Sequence, residues 1–236
     1  MKLWIVIPSA LIVIWLCGFQ TARASPPGQV ALADGDRQNE RAVLKHLWPV
    51  LKSSGKVARI YYRAACQPEE DHPVVFPKID VQPPSRGETG LVAIRDIFRN
   101  NRNVTVTGDD TGIIRIRIGQ FPDTILQTRI ATLAFDPISQ YNYMLALDAI
   151  EMAPEVQSAM SKLNIHVPSR VYNMLTVQPA ESLPHLPYAI TNVSMDQTLD
   201  SVARAFKGIV FYGACQRPHL YELDFAVGVY FDESTL

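Results

Sequence analysis

The sequence predicts an α+β fold of two or three small helix–strand–strand units with short mixed or antiparallel sheets, plus a central helical segment. Apolar residues recur at helical spacing just before runs that alternate with a period of two, and this order occurs three times. The composition, 47% hydrophobic and 19% charged, is typical of a globular chain. The three units cover about residues 38–81, 85–119 and 194–231.

The first unit begins with an amphipathic helix predicted over about 38–52. Pro49 is expected to kink this helix or to end it early, and Gly55 suits the position just past its end. The runs VARIYY and VVFPKIDV then predict two strands, joined by a turn that contains Cys66.

The second unit begins with Ser85 and Glu88, which have the spacing of a capping box and predict the start of a short helix. The alternating VTVTGDDTGIIRIRIG predicts a hairpin that turns at GDDTG. Asp109 and Asp110 could be metal ligands, but paired acids flanked by glycine are typical turn residues, so no metal site is predicted.

The middle of the chain predicts a strand at TILQTRIATLAF, two helices over about 141–151 and 155–163, and a further strand at RVYNMLTV. The run PAESLPHLP indicates a linker and an internal boundary. In the last unit YAITNV predicts a strand, and the Ser194–Gln197 capping box starts a helix that closes at Gly208. IVFY and YELDFAVGVYF then predict two strands, the longer of which would leave an open sheet edge for docking.

The N-terminus has the layout of a secretory signal peptide. Lys2 precedes an apolar run from Leu3 to Phe19, and a small-residue pattern ending at Ala24 predicts cleavage there. The alternative is a retained anchor, although a spanning helix needs about 20 apolar residues. The predicted organisation is therefore signal peptide 1–24, flexible leader 25–36, an N-terminal α+β region 37–178 and a C-terminal unit 188–231. The mature chain would be periplasmic or secreted, with no membrane span.

The charge pattern does not favour a nucleic-acid partner. The chain has 22 basic and 23 acidic residues, and signal cleavage would remove the two basic residues Lys2 and Arg23. The arginines that remain are scattered singly among apolar residues, with no basic tail or cluster.

Two similar phrases, YYRAACQ and FYGACQ, hold Cys66 and Cys215. In an exported chain this even pair predicts a disulfide, with two separate buried thiols as the alternative. The aromatic residues beside the cysteines are either core or a candidate interaction surface, with core favoured. They are Tyr61, Tyr62, Phe211 and Tyr212.

An exported thiol-dependent or hydrolytic enzyme is the alternative function. Such an enzyme would pair Cys66 or Cys215 with His72 or His219 as base. The histidines lack metal-ligand spacing, and no nucleophile elbow, phosphate loop or paired-carboxylate motif is present. The sequence therefore predicts no catalytic residues and no cofactor.

The run AITNVSMDQTLDSVARAFKGIVFYGAC resembles the secretin and TonB short N-terminal (STN) domain, best over about 188–231. GLVAIRDIFRNNRNVTVTGDDTGIIRIRIG is similar to a second, more divergent copy. The resemblance implies small periplasmic α/β modules that contact protein partners in envelope assembly, secretion or signalling, and it carries over no catalytic residue. Nothing after residue 231 resembles the barrel or pore of those families, so it implies a free-standing module with a protein partner at the cell envelope.

Overall fold

This computed structural model describes residues 38–66, 74–109, 112–120, 124–167, 182–216 and 219–226. The helices of these segments are α1 (Gln38–Ser54), α2 (Gly90–Ile97), α3 (Tyr143–Glu151), α4 (Pro154–Leu163) and α5 (Met195–Phe206). The strands are β1 (Val57–Arg63), β2 (Val104–Gly108), β3 (Ile113–Ile118), β4 (Arg129–Ala134), β5 (Ala189–Ser194), β6 (Ile209–Gln216) and β7 (His219–Ala226). Two 3-10 helices cover Thr124–Gln127 and Ser139–Tyr141.

Five of these strands form one mixed sheet in the order β2-β3-β1-β6-β7. The central strand β1 is parallel to both of its neighbours, with Val57 opposite Ile113 on one side and Ala58 opposite Ile209 on the other. Two antiparallel hairpins, β2–β3 and β6–β7, complete the sheet. The sheet therefore combines strands from both sides of the proline-rich run 179–187.

The side chains of β1 alternate between two cores, one on each face of the sheet. Ala58 and Ile60 face the core built with α1 and α2. Val57 and Tyr61 face the core built with α3, α4 and α5. Because successive side chains of a strand point to opposite faces, a strand covered by helices on both sides is mostly apolar, and Arg59 is the buried exception in β1.

Helix α1 runs through Pro49 to Ser54, so the predicted early end is wrong. Gly55 follows with a φ of 63°, as expected for the residue that ends a helix in the left-handed region. Helix α5 has the predicted capping box, in which the Ser194 hydroxyl accepts from the Gln197 N–H and the Gln197 side chain accepts from the Ser194 N–H. The left-handed residue that ends α5 is Lys207, one position before the predicted Gly208.

The predicted capping box of α2 is wrong. This helix starts at Gly90, and its N-cap Thr89 makes no side-chain capping bond. The N–H and hydroxyl of Ser85 instead donate to the Asp96 carboxylate, at 2.6 and 2.8 Å. Ser85 therefore fastens the approach to the helix onto the side of its last turn.

The predicted strand over VVFPKIDV is also wrong. Residues 75–81 are irregular, and Val74 makes a single antiparallel bridge to Cys66. Pro77 interrupts the run and has no N–H to donate to a ladder. Phe76 packs its ring 4.8 Å from that of Tyr62, so this segment covers the sheet with side chains instead of extending it.

A second sheet contains only β4 and β5 within the described residues. Strand β4 is shorter than the predicted TILQTRIATLAF strand because its first residues form a 3-10 helix. Asn192 interrupts β5 with a φ of 51°, a conformation that asparagine tolerates better than most residues. Its carbonyl accepts from Arg129 Nη1 at 3.2 Å across the pair.

The predicted α+β class is confirmed, with helices and mixed sheets in one unit of the chain that covers residues 32–236. The two predicted central helices correspond to α3 and α4. The signal peptide, the leader and the predicted strand RVYNMLTV lie outside the described residues. Among the described helices, none has both the length and the apolar character needed to cross a bilayer.

Candidate functional site: a buried ion-pair network and a sheet edge

Cys66 and Cys215 form a disulfide, with their Cα atoms 5.3 Å apart. Cys215 is buried within β6, while Cys66 follows β1 and pairs with Val74. Because β1 and β6 are neighbours, the bond ties the end of the central strand and the segment beyond it to β6. In this structure neither sulfur is a free thiol.

The four aromatic residues beside the cysteines do not form a surface, so their assignment as a candidate interaction surface is wrong. Tyr61, Tyr62, Phe211 and Tyr212 are at most 6% exposed. Tyr61 and Tyr212 belong to one core, and Tyr62 and Phe211 belong to the other. The alternative interpretation, that they are core residues, is confirmed.

Gly213 explains how Tyr62 fits between the strands. It lies opposite Tyr62 in the β1–β6 register. A Cβ atom built on Gly213 would lie 2.4 Å from Tyr62 Cζ, closer than real Cβ contacts come. The second phrase therefore reads FYGAC because only glycine leaves room for the ring of its neighbour.

The two histidines of the alternative enzyme hypothesis are not placed by the structure. His72 lies outside the described residues, and the side chain of His219 is not described. No group of three potential metal ligands occurs among the described side chains.

The most distinctive polar feature is a set of buried charges between the sheet and α5, here called the Arg59 network. Arg59, at 0% exposure, projects from β1 into the apolar core. Its Nη1 donates to the Asp200 carboxylate and to the Asp196 carbonyl, both at 2.9 Å. Its Nη2 lies 3.1 Å from the Asp196 carboxylate. The two aspartates are four residues apart, so the same face of α5 presents both to one guanidinium.

The network continues across the sheet to β3. Arg115 pairs with the second carboxylate oxygen of Asp200 and, through its other nitrogen, with Asp109 in the β2–β3 turn. Burial opposes the charge of Arg115, but the hydrogen bond that Arg115 donates to Asp109 and the charge of Asp200 outweigh it and raise the pKa of Arg115. The hairpin turn is thereby tied to α5 through two ion pairs in series.

Tyr61 closes the network near the start of α5. Its hydroxyl donates to Asp196 Oδ1 at 2.9 Å, and the guanidinium carbons of Arg59 and Arg117 lie 5.0 and 5.6 Å from its ring centroid. Burial, together with the negative charge of Asp196, raises the pKa of Tyr61 to about 12. Tyr61 is therefore a neutral donor at physiological pH.

Burial also raises the pKa of Asp200, while the positive charges of Arg59 and Arg115 limit the rise. Arg59 and Arg115 pair with three carboxylates, those of Asp109, Asp196 and Asp200, and Arg59 Nε is left without a hydrogen-bond partner in the described part of the chain. Asp196 also borders a surface pocket, but its carboxylate is held there by Arg59 and Tyr61. The chemistry of the network is thus structural. It fixes α5 and the β2–β3 hairpin against the central strand.

The sequence contained a signal for this network that was missed. Arg59 is one of the arginines scattered among apolar residues, and it interrupts the apolar run VARIYY on the face that packs against a helix. Asp196 and Asp200 lie four apart on the predicted helix MDQTLDSVARAF. A cation inside an apolar strand and two acids on one helical face are matching halves of a buried pair.

The two edges of the five-stranded sheet differ. At β7, the segment after α4 covers the start of the strand, because His166 pairs with Leu220 and accepts from the Tyr221 N–H. At β2, no described strand lies alongside. Helix α2 borders that edge, and Arg95 Nε donates to the Val106 carbonyl at 3.3 Å.

No family model, curated protein or solved structure matches this chain.

Proposed function

We propose that the chain is an exported, non-enzymatic protein-interaction module that resembles STN domains and acts in envelope assembly, secretion or signalling. The observation that carries the proposal is the β2 edge, beside which no described strand lies, in a sheet held by helices, a disulfide and buried ion pairs. Exposed edge strands on rigid scaffolds are a recurrent means of binding other chains.

The arrangement of elements supports the finer part of the proposal. The α5–β6–β7 unit is a capped helix followed by an antiparallel hairpin, and α2–β2–β3 has the same order. We assign these two as the STN-like units, with α1 and β1 as a reduced third unit between them in the sheet. The α3–α4 pair corresponds to the central helical segment.

The disulfide supports the localisation. Disulfides form and persist in oxidising compartments. The bridge between Cys66 and Cys215, which are 149 residues apart in sequence, is therefore expected in a protein that works in such a compartment. The proposed mature protein therefore begins near Ser25 and works in the periplasm or outside the cell, with a protein partner at the cell envelope.

Affinity capture from the envelope fraction of the source cells tests the proposal. The bait is the mature chain with a C-terminal tag, and the comparison variant is Arg95→Glu, which reverses the charge beside β2 and removes the bond to the Val106 carbonyl. Recovery of secretin or receptor components with the native bait supports the proposal. Reproducible recovery of a small molecule with no protein would refute it.

Thiol labelling of the native protein separates this function from the enzyme alternative. With both cysteines in one disulfide, a maleimide probe should label the folded mature protein only after reduction. Rapid labelling of Cys66 or Cys215 without reductant would favour the thiol enzyme instead.

A further inference from the structure

The hydrogen-bond phase of the β2–β3 hairpin shows which backbone groups of β2 face outward. The Gly119 N–H donates to the Asn103 carbonyl, and the Asp109 N–H donates to the Ile113 carbonyl. In an antiparallel ladder the bonded pairs recur at every second residue, so Thr105 and Thr107 bond to β3. The backbone groups of Val104, Val106 and Gly108 therefore point away from the sheet.

Two contacts agree with this phase. The Val104 N–H donates to the Asn101 carbonyl instead of to β3. The Val106 carbonyl accepts from Arg95 Nε on the side opposite β3. Within the described residues, the outward N–H groups of Val106 and Gly108 have no partner. Strand β2 thus offers the N–H groups of Val106 and Gly108 as outward donors, while the outward Val106 carbonyl already accepts from Arg95.

Strand β2 is short and bordered by α2, but it lacks three other devices that protect an edge: charge, proline and a bulge. Its sequence VTVTG contains no charge and no proline. Its pairing with β3 has no bulge, since each residue from Val104 to Gly108 has one partner in register.

Helix α2 provides an apolar and a cationic side chain beside the β2 edge. Leu91 of α2 lies against Gly108, and Arg95, one turn later, reaches Val106, so the helix runs along the strand. Val92 and Arg95 lie three apart on one stripe of α2. Both are exposed, Val92 at 58%. A strand added to β2 would direct alternate side chains toward an apolar contact and a cation.

The local charges are predominantly positive. Arg99 is paired with Asp96, and Arg115 is paired with Asp109 and Asp200. Arg95 and Arg102 are exposed beside the middle and the start of β2. Charge complementarity therefore favours an acidic partner over a basic one.

A five-residue strand is much shorter than is needed to bury the roughly 1,200 Å² of a stable protein–protein interface. This length suits a short linear segment better than a second folded copy. We propose that β2 binds an extended acidic peptide segment by strand addition, with main-chain bonds to Val106 and Gly108 and an acidic side chain on Arg95. The inference rests on the proposed function and names the partner class and the site.

Peptide binding to the mature, disulfide-bonded protein tests the inference. The probes are the heptapeptides Thr-Val-Thr-Glu-Thr-Val-Thr and Thr-Val-Thr-Lys-Thr-Val-Thr, whose palindromic sequences suit either strand direction. The glutamate peptide should bind about three- to tenfold more tightly than the lysine peptide, because the glutamate pairs with the exposed Arg95 and the lysine is repelled by it. Arg95→Glu should reverse the order, whereas Lys162→Glu, an exposed change on α4, should leave it unchanged.

Amide hydrogen exchange by NMR locates the site. The glutamate peptide should slow exchange at Val106 and Gly108 at least about tenfold, while Thr105 and Thr107, already bonded to β3, should change little. Equal binding of the two peptides, or protection elsewhere, would overturn the proposal. Protection of the same amides by raised protein concentration alone would show that a second copy occupies the edge, which also overturns it.

The proposed function and the β2 peptide site are refuted by different results. Loss of the peptide result with intact envelope capture refutes the β2 site and leaves the proposed function standing. Loss of envelope capture with intact peptide binding refutes the proposed function.

Discussion

Replacing Arg59 with methionine should destabilise the fold more than any other single change of charge in β1. The substitution keeps much of the volume but leaves the Asp200 carboxylate, 5% exposed, with Arg115 as its remaining ion-pair partner. The Asp196 side chain keeps its bond to Tyr61. Breaking a buried ion pair by removing one partner costs about 3–5 kcal/mol. Because Arg115 still neutralises Asp200 in part, we expect a loss near the lower end, about 3 kcal/mol.

The free energy of unfolding, measured by urea denaturation at pH 7 with circular dichroism, gives the value. Arg63→Met is the matched control, since Arg63 is exposed at the end of the same strand and should change stability by less than about 0.5 kcal/mol. The double variant Arg59→Met/Asp200→Leu removes both charges. It should be more stable than the sum of the two single losses predicts, by about 1–3 kcal/mol, because neither charge is left unpaired.

Acidification gives an independent check. Without Arg59, the folded-state pKa of Asp200 should rise further above its ordinary value, because the positive charge of Arg59 no longer opposes the effect of burial. A carboxyl group whose pKa is raised in the folded state lowers the free energy of unfolding at any pH above that raised pKa. This destabilisation disappears as the pH falls through the folded-state pKa toward the unfolded-state pKa. The stability gap between native protein and Arg59→Met should therefore narrow from pH 7 toward pH 4. A gap under about 1 kcal/mol at pH 7, or strict additivity in the double variant, would refute the reasoning.

Three further predictions concern the sheet. Replacing Cys66 and Cys215 with alanine should lower the free energy of unfolding by up to about 5 kcal/mol, the chain-entropy value for a separation of 149 residues. A loss below about 1 kcal/mol, measured by urea denaturation, would contradict a structural role of the disulfide. Gly213→Ala should cost about 1–3 kcal/mol through the clash with Tyr62, and the cost should shrink in a Tyr62→Ala background, as thermal melts of the four proteins would show. A phenol pKa raised to about 12 contributes stability below pH 10 that is lost as the pH rises toward 12, roughly 2–3 kcal/mol. Tyr61→Phe should therefore flatten the alkaline fall in stability, and an unchanged profile would count against the buried phenol.

Local sequence patterns predicted the helices and strands better than they predicted which residues these elements contact. The capping box of Ser194 and Gln197 and the alternation of β2 and β3 depend on neighbours in sequence, and both are present in the structure. Ser85 and Glu88 had the same spacing but failed, because Ser85 bonds to Asp96 eleven residues away. A four-residue pattern contains no information about such a competitor.

The arrangement of the sheet and the Arg59 network could not be predicted in the same way. The pairing of β1 with β6 joins residues about 150 apart, and periodicity is the same for a strand whether its neighbour is local or distant. The aromatic residues of the two cysteine phrases are core because helices cover both faces of β1 and β6. Their chemistry alone suited a surface equally well.

The parallel pairing of β1 on both sides has a consequence for how the protein matures. Synthesis delivers β1 early, yet one of its two neighbours, β6, follows near the other end of the chain, and Cys215 arrives with it. Long-range parallel pairing makes folding slow, because the entropy cost of closing a long loop comes before the stabilising contacts between the two strands can form. Until residue 216 is available, the central strand has one unpaired edge and Cys66 has no partner in the fold. A chain truncated before β6 should therefore be degraded or should aggregate instead of persisting as a folded fragment.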